Sequence, residues 1–439
     1  MVLDGIVSDK VSMSAYTRQY MKIKSQLKTY FIMWISMIGG LNADTLTLHT
    51  NYSPPYQISK SGELAGTSID ALDCIFHELR QPYQINLRPW LRSISEVQKG
   101  ISHGFFTSTF IDELENVATL SSPLFLERWY WYYTKPELVE GLNASKNLLV
   151  GAVRGSAQSI WLQSKKSYDV VEVNSQQQLV KLLELGRIEA VVADRKSFRS
   201  DVSSLGRSMD AFQSNFIKYA PMGVYFSSSF LEEHPVFLSN FNGEIHHCIS
   251  DTIPLNNTEI EKLNVLLSNS FSVLLSDIKL INYLKNSNKP LEPEDRKKIQ
   301  DLDVQWKKER VSLDRPFIDK LMSQPFSKRL RKLQNESNGA FTEIFLTNNH
   351  GILLGASEIT SDYWQGDEAK FKNTQGKSGG TFSYNDIIFD ESTGLFQTQV
   401  GVSIGDSNNN DYLGTLIIGV NPAEVLKATH PFESSLGTK

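Results

Sequence analysis

The chain has 439 residues, of which 40% are hydrophobic and 21% charged, and its formal net charge is −5. This composition is that of an ordinary globular protein, and it excludes the basic stripe that nucleic-acid binding requires. The length predicts two domains or more.

Residues 1–43 contain a predicted export signal. Three lysines after Met21 precede an apolar run from Tyr30 to Ile38 and small residues that end at Ala43. This is the layout of a cleavable secretory signal, and the apolar run is too short to span a bilayer. An uncleaved anchor is the alternative. Because residues 1–20 lack a basic segment, we expect translation to begin at Met21 and the mature protein to be periplasmic.

Two cysteines, Cys74 and Cys248, leave two interpretations open. Export would permit a disulfide between them, and two small buried side chains are the alternative. His246 and His247 precede Cys248, but adjacent residues of a helix point in different directions. We therefore expect no metal site there, and the sequence predicts no cofactor.

Predicted strands and helices alternate over residues 44–254. A strand from Leu46 leads through a Tyr-Pro turn and a Gly-marked hairpin to a helix near Asp70. Later, a buried strand turns into a helix at Gly155, and another buried strand ends at Asp194. Such alternation is typical of an α/β domain.

This run of features resembles the family 3 solute-binding proteins, which have the two-lobed type II periplasmic binding fold. The resemblance covers residues 45–250 and implies capture of a small solute between two lobes. It also implies closure around a hinge, which we place near Tyr132 to Lys135 and Gly223 to Phe226. The marks that carry it are the Tyr52 to Tyr56 turn, Gly66 with Asp70, the Trp90 to Gly100 helix, Ser121-Ser122-Pro123, Gly151 to Ser156, and Gly186 to Asp194.

Seven residues are predicted to line the cleft. Ser156 opens a helix and would offer an anion site together with the backbone of Ala157. Asp194 would face a cationic group, and the others would supply aromatic walls and hydrogen bonds, which together suit a small zwitterion or amine. Ser156 and Asp194 also suit a purely structural role as helix caps. The full set is Tyr52, Tyr56, Trp90, Ser108, Thr109, Ser156 and Asp194.

One position departs from the family pattern. The resemblance implies an Arg that grips the ligand's α-carboxylate in a bidentate fork, and Leu114 occupies that position here. An ordinary α-amino acid is therefore not expected. Arg154 or Arg128 could substitute, or the ligand could lack a carboxylate.

The second half of the chain changes character. Residues 255–338 predict long helices, with a break from Asn288 to Pro293, that form a connector and the first helix of the next domain. Over residues 339–425 the apolar period becomes two, which predicts a hairpin around residues 348–351 and three more antiparallel strands. This order resembles an extracytoplasmic PAS-like sensor of the Cache or PDC type, followed by a tail over residues 426–439. Its predicted pocket comprises Tyr363, Trp364, Asp367 and Asp406.

We therefore expect an exported protein that captures a small polar solute, such as an amine, amino-acid derivative or short peptide. The resemblance implies a signal to a membrane partner, namely a sensor kinase, a chemoreceptor or a cyclic-dinucleotide enzyme. The solute-binding subunit of an ABC-type transporter is one alternative, and an interaction module without a ligand is another.

An enzyme is not expected. The chain has no P-loop, G-x-S-x-G or H-E-x-x-H motif. Glu336-Ser337 resembles the signature of lytic transglycosylases, but β-patterned sequence follows where that fold needs helices. A dehydratase would need an acid–base pair in the cleft, for which Asp194 and Asp70 are the candidates.

Overall fold

The computed structural model describes residues 44–60, 62–138, 148–165, 167–249, 252–390, 393–406 and 408–426. The predicted export signal, and the tail from residue 427 onward, lie outside the described residues. From Leu46 onward the chain forms one compact unit.

A mixed sheet of nine strands organises the first half of this unit. Its strands are β1 (Leu46–Thr50), β4 (Tyr83–Leu87), β5 (Gly104–Ser108), β6 (Ala118–Leu120), β7 (Phe125–Tyr133), β8 (Leu148–Val153), β9 (Tyr168–Val173), β10 (Ala190–Asp194) and β11 (Gln213–Ser227). The order is β4-β1-β5-β11-β7-β10-β8-β9, with β6 also on β11. A separate hairpin consists of β2 (Ile58–Lys60) and β3 (Glu63–Ala65).

Among the residues that the structure describes, seven helices flank this sheet, and most follow a strand directly, as the alternation predicts. They are α1 (Thr67–Glu78), α2 (Trp90–Gln98), α3 (Ala157–Ser164), α4 (Gln176–Glu184), α5 (Arg195–Ser204), α6 (Ser228–Glu233) and α7 (Phe237–Cys248). Short 3-10 turns lie at Asp112–Leu114 and Met209–Ala211. The mixed α/β architecture expected from the sequence is therefore present.

The long strand β11 joins two lobes. Residues 213–222 of β11 pair with β7, which forms the second lobe together with β8, β9 and β10. Residues 223–227 pair instead with β5 and β6, which form the first lobe together with β1 and β4. The register shifts between Gly223 and Val224, so the predicted hinge segment at Gly223 lies where the strand passes between lobes.

The other predicted hinge segment is wrong. Tyr132 and Tyr133 pair with Val191 and Ala190 inside the second lobe. The chain passes between the lobes earlier, between β6 and β7, where Leu124 donates its backbone N–H to Met222. The error arose because the aromatic strand that we took to be the crossing is a central strand of one lobe.

A disulfide joins Cys74 of α1 to Cys248 of α7, with their Cα atoms 5.7 Å apart. Both helices pack on the first lobe, where Leu72 and Ile75 of α1 share a hydrophobic cluster with Phe241 of α7. Of the two interpretations left open by the sequence, the structure therefore has the disulfide.

A second, antiparallel sheet of six strands follows five helices. The helices are α8 (Asn257–Leu275), α9 (Ile278–Ser287), α10 (Pro293–Arg310), α11 (Pro316–Met322) and α12 (Pro325–Glu336). The strands are β12 (Phe341–Asn348), β13 (Leu353–Ala356), β14 (Phe382–Tyr384), β15 (Ile388–Asp390), β16 (Leu395–Gly405) and β17 (Tyr412–Val420), and short helices α13 (Ala369–Lys372) and α14 (Pro422–Val425) complete this part. Its order is β13-β12-β17-β16-β14, with β15 on β16.

In this second module, which comprises residues 257–425, an antiparallel sheet follows a run of helices in the order that the sequence predicts, and the helix break at residues 288–293 is confirmed. The short strand β14 was not predicted, because its three residues fall in a segment rich in Gly, Lys and Ser. An antiparallel sheet is therefore present, and its assignment to the Cache type stays a prediction.

The second module and the second lobe share one hydrophobic core. Leu126 of β7 and Tyr219 of β11 belong to the same buried cluster as Leu263, Leu267 and Phe271 of α8. The Tyr219 hydroxyl donates to Glu259 Oε1 at 2.8 Å, and Glu259 also closes the capping box that begins α8. The helical connector is therefore packed directly on the strands beside the hinge.

Within the described part of the chain, no single helix is long and apolar enough to cross a membrane. The pair α8 and α9, bent by 75° where they meet, passes the same test only when taken together.

Candidate functional site

A cavity of about 510 Å³ opens between the two lobes. Its first wall comes from the carboxyl ends of β1 and β4 and the start of α2. The second wall comes from the carboxyl ends of β8 and β9 and the first turns of α3 and α4. The lining residues are Asn51, Tyr52, Ser53, Pro54, Leu87, Arg88, Pro89, Trp90, Leu91, Thr107, Glu127, Val153, Arg154, Ser156, Ala157, Gln158, Asn174, Ser175, Gln176, Gln177, Ser197, Asp201 and Met222.

Three of the seven predicted residues line this cavity. Tyr52 is 55% exposed, so its ring is free to contact a solute. Trp90 is buried and packs edge-on against Phe105, which fixes its ring in the wall. Ser156 lines the cavity and also caps α3, because its Oγ accepts the N–H of Ser159 at 3.1 Å. Its hydroxyl therefore serves the helix, as the structural alternative predicted.

Tyr56 and Asp194 lie behind the cavity wall and contact each other. The Tyr56 hydroxyl donates to Asp194 Oδ2 at 3.0 Å, and the ring of Tyr56 stacks on Phe125 at 4.5 Å. Gly66 has φ +118°, and a Cβ there would lie 2.4 Å from the Tyr56 carbonyl oxygen. Glycine is therefore needed for α1 to begin so close to Tyr56.

Asp194 has a structural role rather than the predicted contact with a ligand cation. Its Oδ2 also accepts the N–H of Ser197 and so caps α5, while its Oδ1 accepts the N–H of Arg128, both at 2.9 Å. Asp194 is 1% exposed and is not among the lining residues. Burial raises the pKa of its carboxyl, and the donated hydrogen bonds oppose that rise.

Ser108 and Thr109 do not line the cavity, whereas Thr107 does. The Ser108 hydroxyl donates to the carbonyl of Thr109 at 3.0 Å. Leu114, which stands at the family's arginine position, is fully buried in a cluster with Trp90 and other apolar residues. The structure therefore brings no cation to the cavity from this segment.

Two arginines line the cavity, and one of them was not predicted. Arg88 follows β4; its Nη1 donates to the Leu87 carbonyl at 3.0 Å, and its buried Nε has no acceptor among the described residues. Arg154 follows β8 and is half exposed, with its Nε 3.8 Å from Glu172 Oε2. Arg128, the other substitute considered, is not a lining residue, since its Nη2 donates to the Pro254 carbonyl.

Two carboxyl groups also line the cavity, and neither was predicted. Glu127 is 5% exposed, and burial followed by the charge of Asp194 raises its pKa to about 8. Asp201 is 4% exposed, and burial raises its pKa to about 6 although Gln177 donates a hydrogen bond to it. At pH 7 these values leave Glu127 mainly neutral and Asp201 mainly ionised.

The second-lobe wall is rich in amides and in helix N-termini. Asn174, Ser175, Gln176 and Gln177 lie at the junction of β9 with α4, and Gln158 lies in the first turn of α3. The first turn of a helix leaves backbone N–H groups without intrahelical acceptors and carries a partial positive charge. This wall therefore offers hydrogen-bond donors to an oxygen-bearing solute.

Sequence signals for the missed residues exist. Arg88 and Asn174 each follow a strand and precede a helix, which is the same context that led to Ser156. Glu127 and the adjacent Arg128 interrupt the otherwise apolar run from Phe125 to Tyr133, and a charge in a buried strand is a recognisable exception. Asp201 lies inside a polar helix and has no such signal.

Three of the four residues predicted for a second pocket have other partners in the structure. Tyr363 packs against Phe317 at 5.0 Å between ring centroids, and Trp364 Nε1 donates to the His350 carbonyl at 2.9 Å. Asp367 is exposed, and Asp406 Oδ2 lies 2.7 Å from Lys285 Nζ. A ligand pocket in the second module stays a prediction.

No protein-family model and no curated protein matches the chain. Several solved structures are similar over about half of it. An ancestral arginine-binding protein bound to arginine is 20% identical, with 46% of this chain and 91% of that chain covered and a TM-score of 0.40. The arginine-, lysine-, histidine-binding protein ArtJ from Geobacillus stearothermophilus is 16% identical, with 47% and 93% covered and a TM-score of 0.38.

A third similar structure is the ancestral amino-acid-binding protein AncCDT-1, a precursor of cyclohexadienyl dehydratase. It is 16% identical, with 46% of this chain and 89% of that chain covered and a TM-score of 0.38. Most of these similar structures are binding proteins. The identities are too low to transfer a ligand or an activity to this chain. Asp70, one member of the acid–base pair considered for a dehydratase, is exposed on α1 and does not line the cavity.

Proposed function

We propose that this protein captures a small polar solute that carries a carboxylate, in the cavity between its two lobes. The observation that supports this function is the cavity itself, about 510 Å³ in volume and walled by polar side chains of both lobes. Cavities of this size enclose small ligands and orient them through a few polar groups.

The charges of the wall favour a solute with an anionic group, whereas the sequence suggested a small zwitterion or amine. Arg88 and Arg154 are both lining residues, and Arg forms bidentate hydrogen bonds with carboxylates. The first turns of α3 and α4 add backbone donors and positive partial charge. Glu127 is mainly neutral at pH 7, which leaves Asp201 as the ionised carboxylate of the cavity.

The aromatic wall completes the description of the solute. Tyr52 and Trp90 lie on the first-lobe side, opposite the amides of the second lobe. A solute with an apolar body and a carboxylate end would use both surfaces. Because β11 carries residues of both lobes in one strand, closure around the solute would bend this strand near Gly223.

A thermal-shift screen of the purified protein tests the proposal. The probes are succinate, L-glutamate, L-glutamine, L-arginine and spermidine, at pH 6 and pH 7.5. A ligand that binds only the native state raises the melting temperature, and the rise grows with the logarithm of the ratio of ligand concentration to Kd once that ratio exceeds one. We expect a carboxylate probe to produce a rise that Arg88→Gln abolishes.

The matched control is Arg207→Gln, which removes an exposed arginine paired with Glu184 outside the cavity. It should leave the ligand-induced rise intact. A rise with spermidine alone would exclude an anionic solute, and the absence of a rise with any probe would favour the interaction module that has no ligand.

Export and signalling form a second part of the proposal. The shared core between α8 and the strands beside the hinge supports a sensor, because a change in lobe orientation would reach the second module. The transporter subunit remains the alternative. Secretion of an alkaline phosphatase fused after residue 50 would test export, and site-specific cross-linking from the exposed Val304 would identify a membrane partner.

A further inference from the structure

The carboxyl group of Glu127 lies at the boundary between the hinge strands and the cavity. Glu127 lies near the start of β7, two residues after Phe125, and is a lining residue although only 5% of it is exposed. The adjacent Leu126 points into the core shared with the second module. The packing of Leu126 in this core therefore fixes the backbone that carries the Glu127 side chain.

Both hydrogen bonds of Glu127 converge on one oxygen. Trp129 Nε1 donates to Oε2 at 2.6 Å, and Gln158 Nε2 donates to the same Oε2 at 3.1 Å. Oε1 has no hydrogen bond from the described residues. Since Oε2 acts only as an acceptor here, a proton on this carboxyl belongs on Oε1.

The charged groups around Glu127 favour the protonated form of its carboxyl. Asp194 of β10 is its charged neighbour across the sheet, and burial together with that charge raises the pKa of Glu127. Lys218 of β11 lies over the Trp129 ring at 4.5 Å from its centroid, and Glu127 has no ion-pair partner among the described residues. Arg154 and Asp201 share the cavity wall with it.

We infer that Glu127 is a ligand-binding residue that acts in its neutral form, donating its Oε1–H to a carboxylate oxygen of the solute. This inference rests on the proposed function. It means that the bound state holds one proton on Glu127 for each solute molecule. Above the pH at which Glu127 ionises, the solute binds only after the carboxyl takes a proton from solvent. Without that proton, two carboxylates would face each other in a buried site.

The test measures the affinity for succinate and L-glutamate by calorimetry between pH 6 and pH 9.5. For the wild-type protein we expect the affinity to fall by about tenfold per pH unit above about pH 8. Glu127→Gln keeps a donor and an acceptor but cannot ionise, so its affinity should change by less than about threefold over this range.

Glu343→Gln is the matched control. Glu343 is also buried and accepts hydrogen bonds from two glutamines, Gln397 and Gln399, but it lies in the second module. This variant should retain the alkaline loss of affinity. A wild-type measurement in buffers of different ionisation enthalpy at pH 8.5 requires no variant to fold, and it should report uptake of about one proton per solute bound.

The possible results separate the two proposals. If neither probe binds even at pH 6, both the carboxylate solute and the role of Glu127 are overturned. If a probe binds but takes up no proton at pH 8.5, or loses affinity equally in the wild type and in Glu127→Gln, the proposed function stands and this inference alone is overturned.

Discussion

The hydroxyl of Tyr56 and the carboxylate of Asp194 form a hydrogen bond of 3.0 Å that connects the two lobes directly. Tyr56 follows β1 in the first lobe, and Asp194 ends β10 in the second. Both residues are almost fully buried, at 2% and 1% exposure. Two residues that the sequence suggested for a ligand site are thus part of the structure that holds the lobes together.

Replacing Tyr56 with Phe should lower the free energy of unfolding by about 1–3 kcal/mol, because Asp194 remains buried and loses one donor. Urea unfolding at pH 7 measures the change. Tyr52→Phe is the control, and since Tyr52 is more than half exposed its effect should stay within about 0.5 kcal/mol. Equal stability of the two variants would argue against the hydrogen bond.

The raised pKa of Glu127 predicts a dependence of stability on pH. A carboxyl whose pKa rises on folding contributes stability below its unfolded pKa and loses that contribution as pH rises through its folded pKa. The window here runs from about pH 4.5 to about pH 8. Compared with Glu127→Gln, the wild type should lose free energy of unfolding across this window. A constant difference between the two proteins would contradict the pKa shift.

Removal of the disulfide should destabilise the first lobe. Cys74 and Cys248 are 174 residues apart, so the link closes a long loop of the unfolded chain. Replacing both with Ala should cost about 2–5 kcal/mol. A reducing agent should lower the melting temperature of the wild type and leave that of the double variant unchanged. If the reducing agent has no effect on the wild type, the bond contributes nothing to stability.

The shared core predicts that the second lobe and the second module unfold together. Leu267→Ala removes a fully buried side chain from this core and should cost about 2–5 kcal/mol. Calorimetry should show one unfolding transition for both proteins, at a lower melting temperature in Leu267→Ala than in the wild type. Val265→Ala, at a 63% exposed position of the same helix, should change little. Two transitions, of which only one moves, would show that the modules are independent.

The architecture could be predicted from the sequence because it depends on local signals. Alternating buried strands and amphipathic helices indicated the α/β part, and the change of period to two indicated the second sheet. The break at residues 288–293 was predicted from its Pro and Asn residues. These patterns arise within one element and its neighbours, so one sequence is enough to show them.

The site was predicted only in part, because its chemistry depends on contacts between distant segments. Tyr52, Trp90 and Ser156, which were predicted to bind the solute, lie on the cavity wall. The cap that Asp194 forms is local, but whether its carboxylate is also open to a solute depends on Tyr56, which is 138 positions away. The raised pKa of Glu127 likewise depends on burial and on the charge of Asp194, which no local pattern connects to it.

The packing of Tyr219 against α8 has a thermodynamic consequence. Tyr219 lies four residues before Gly223 on the strand that both lobes share. If closure around a solute alters this packing, a change in this packing must alter the affinity for the solute by the same coupling free energy. A protein that binds the second module and changes the same packing would then tighten or weaken solute affinity without touching the cavity.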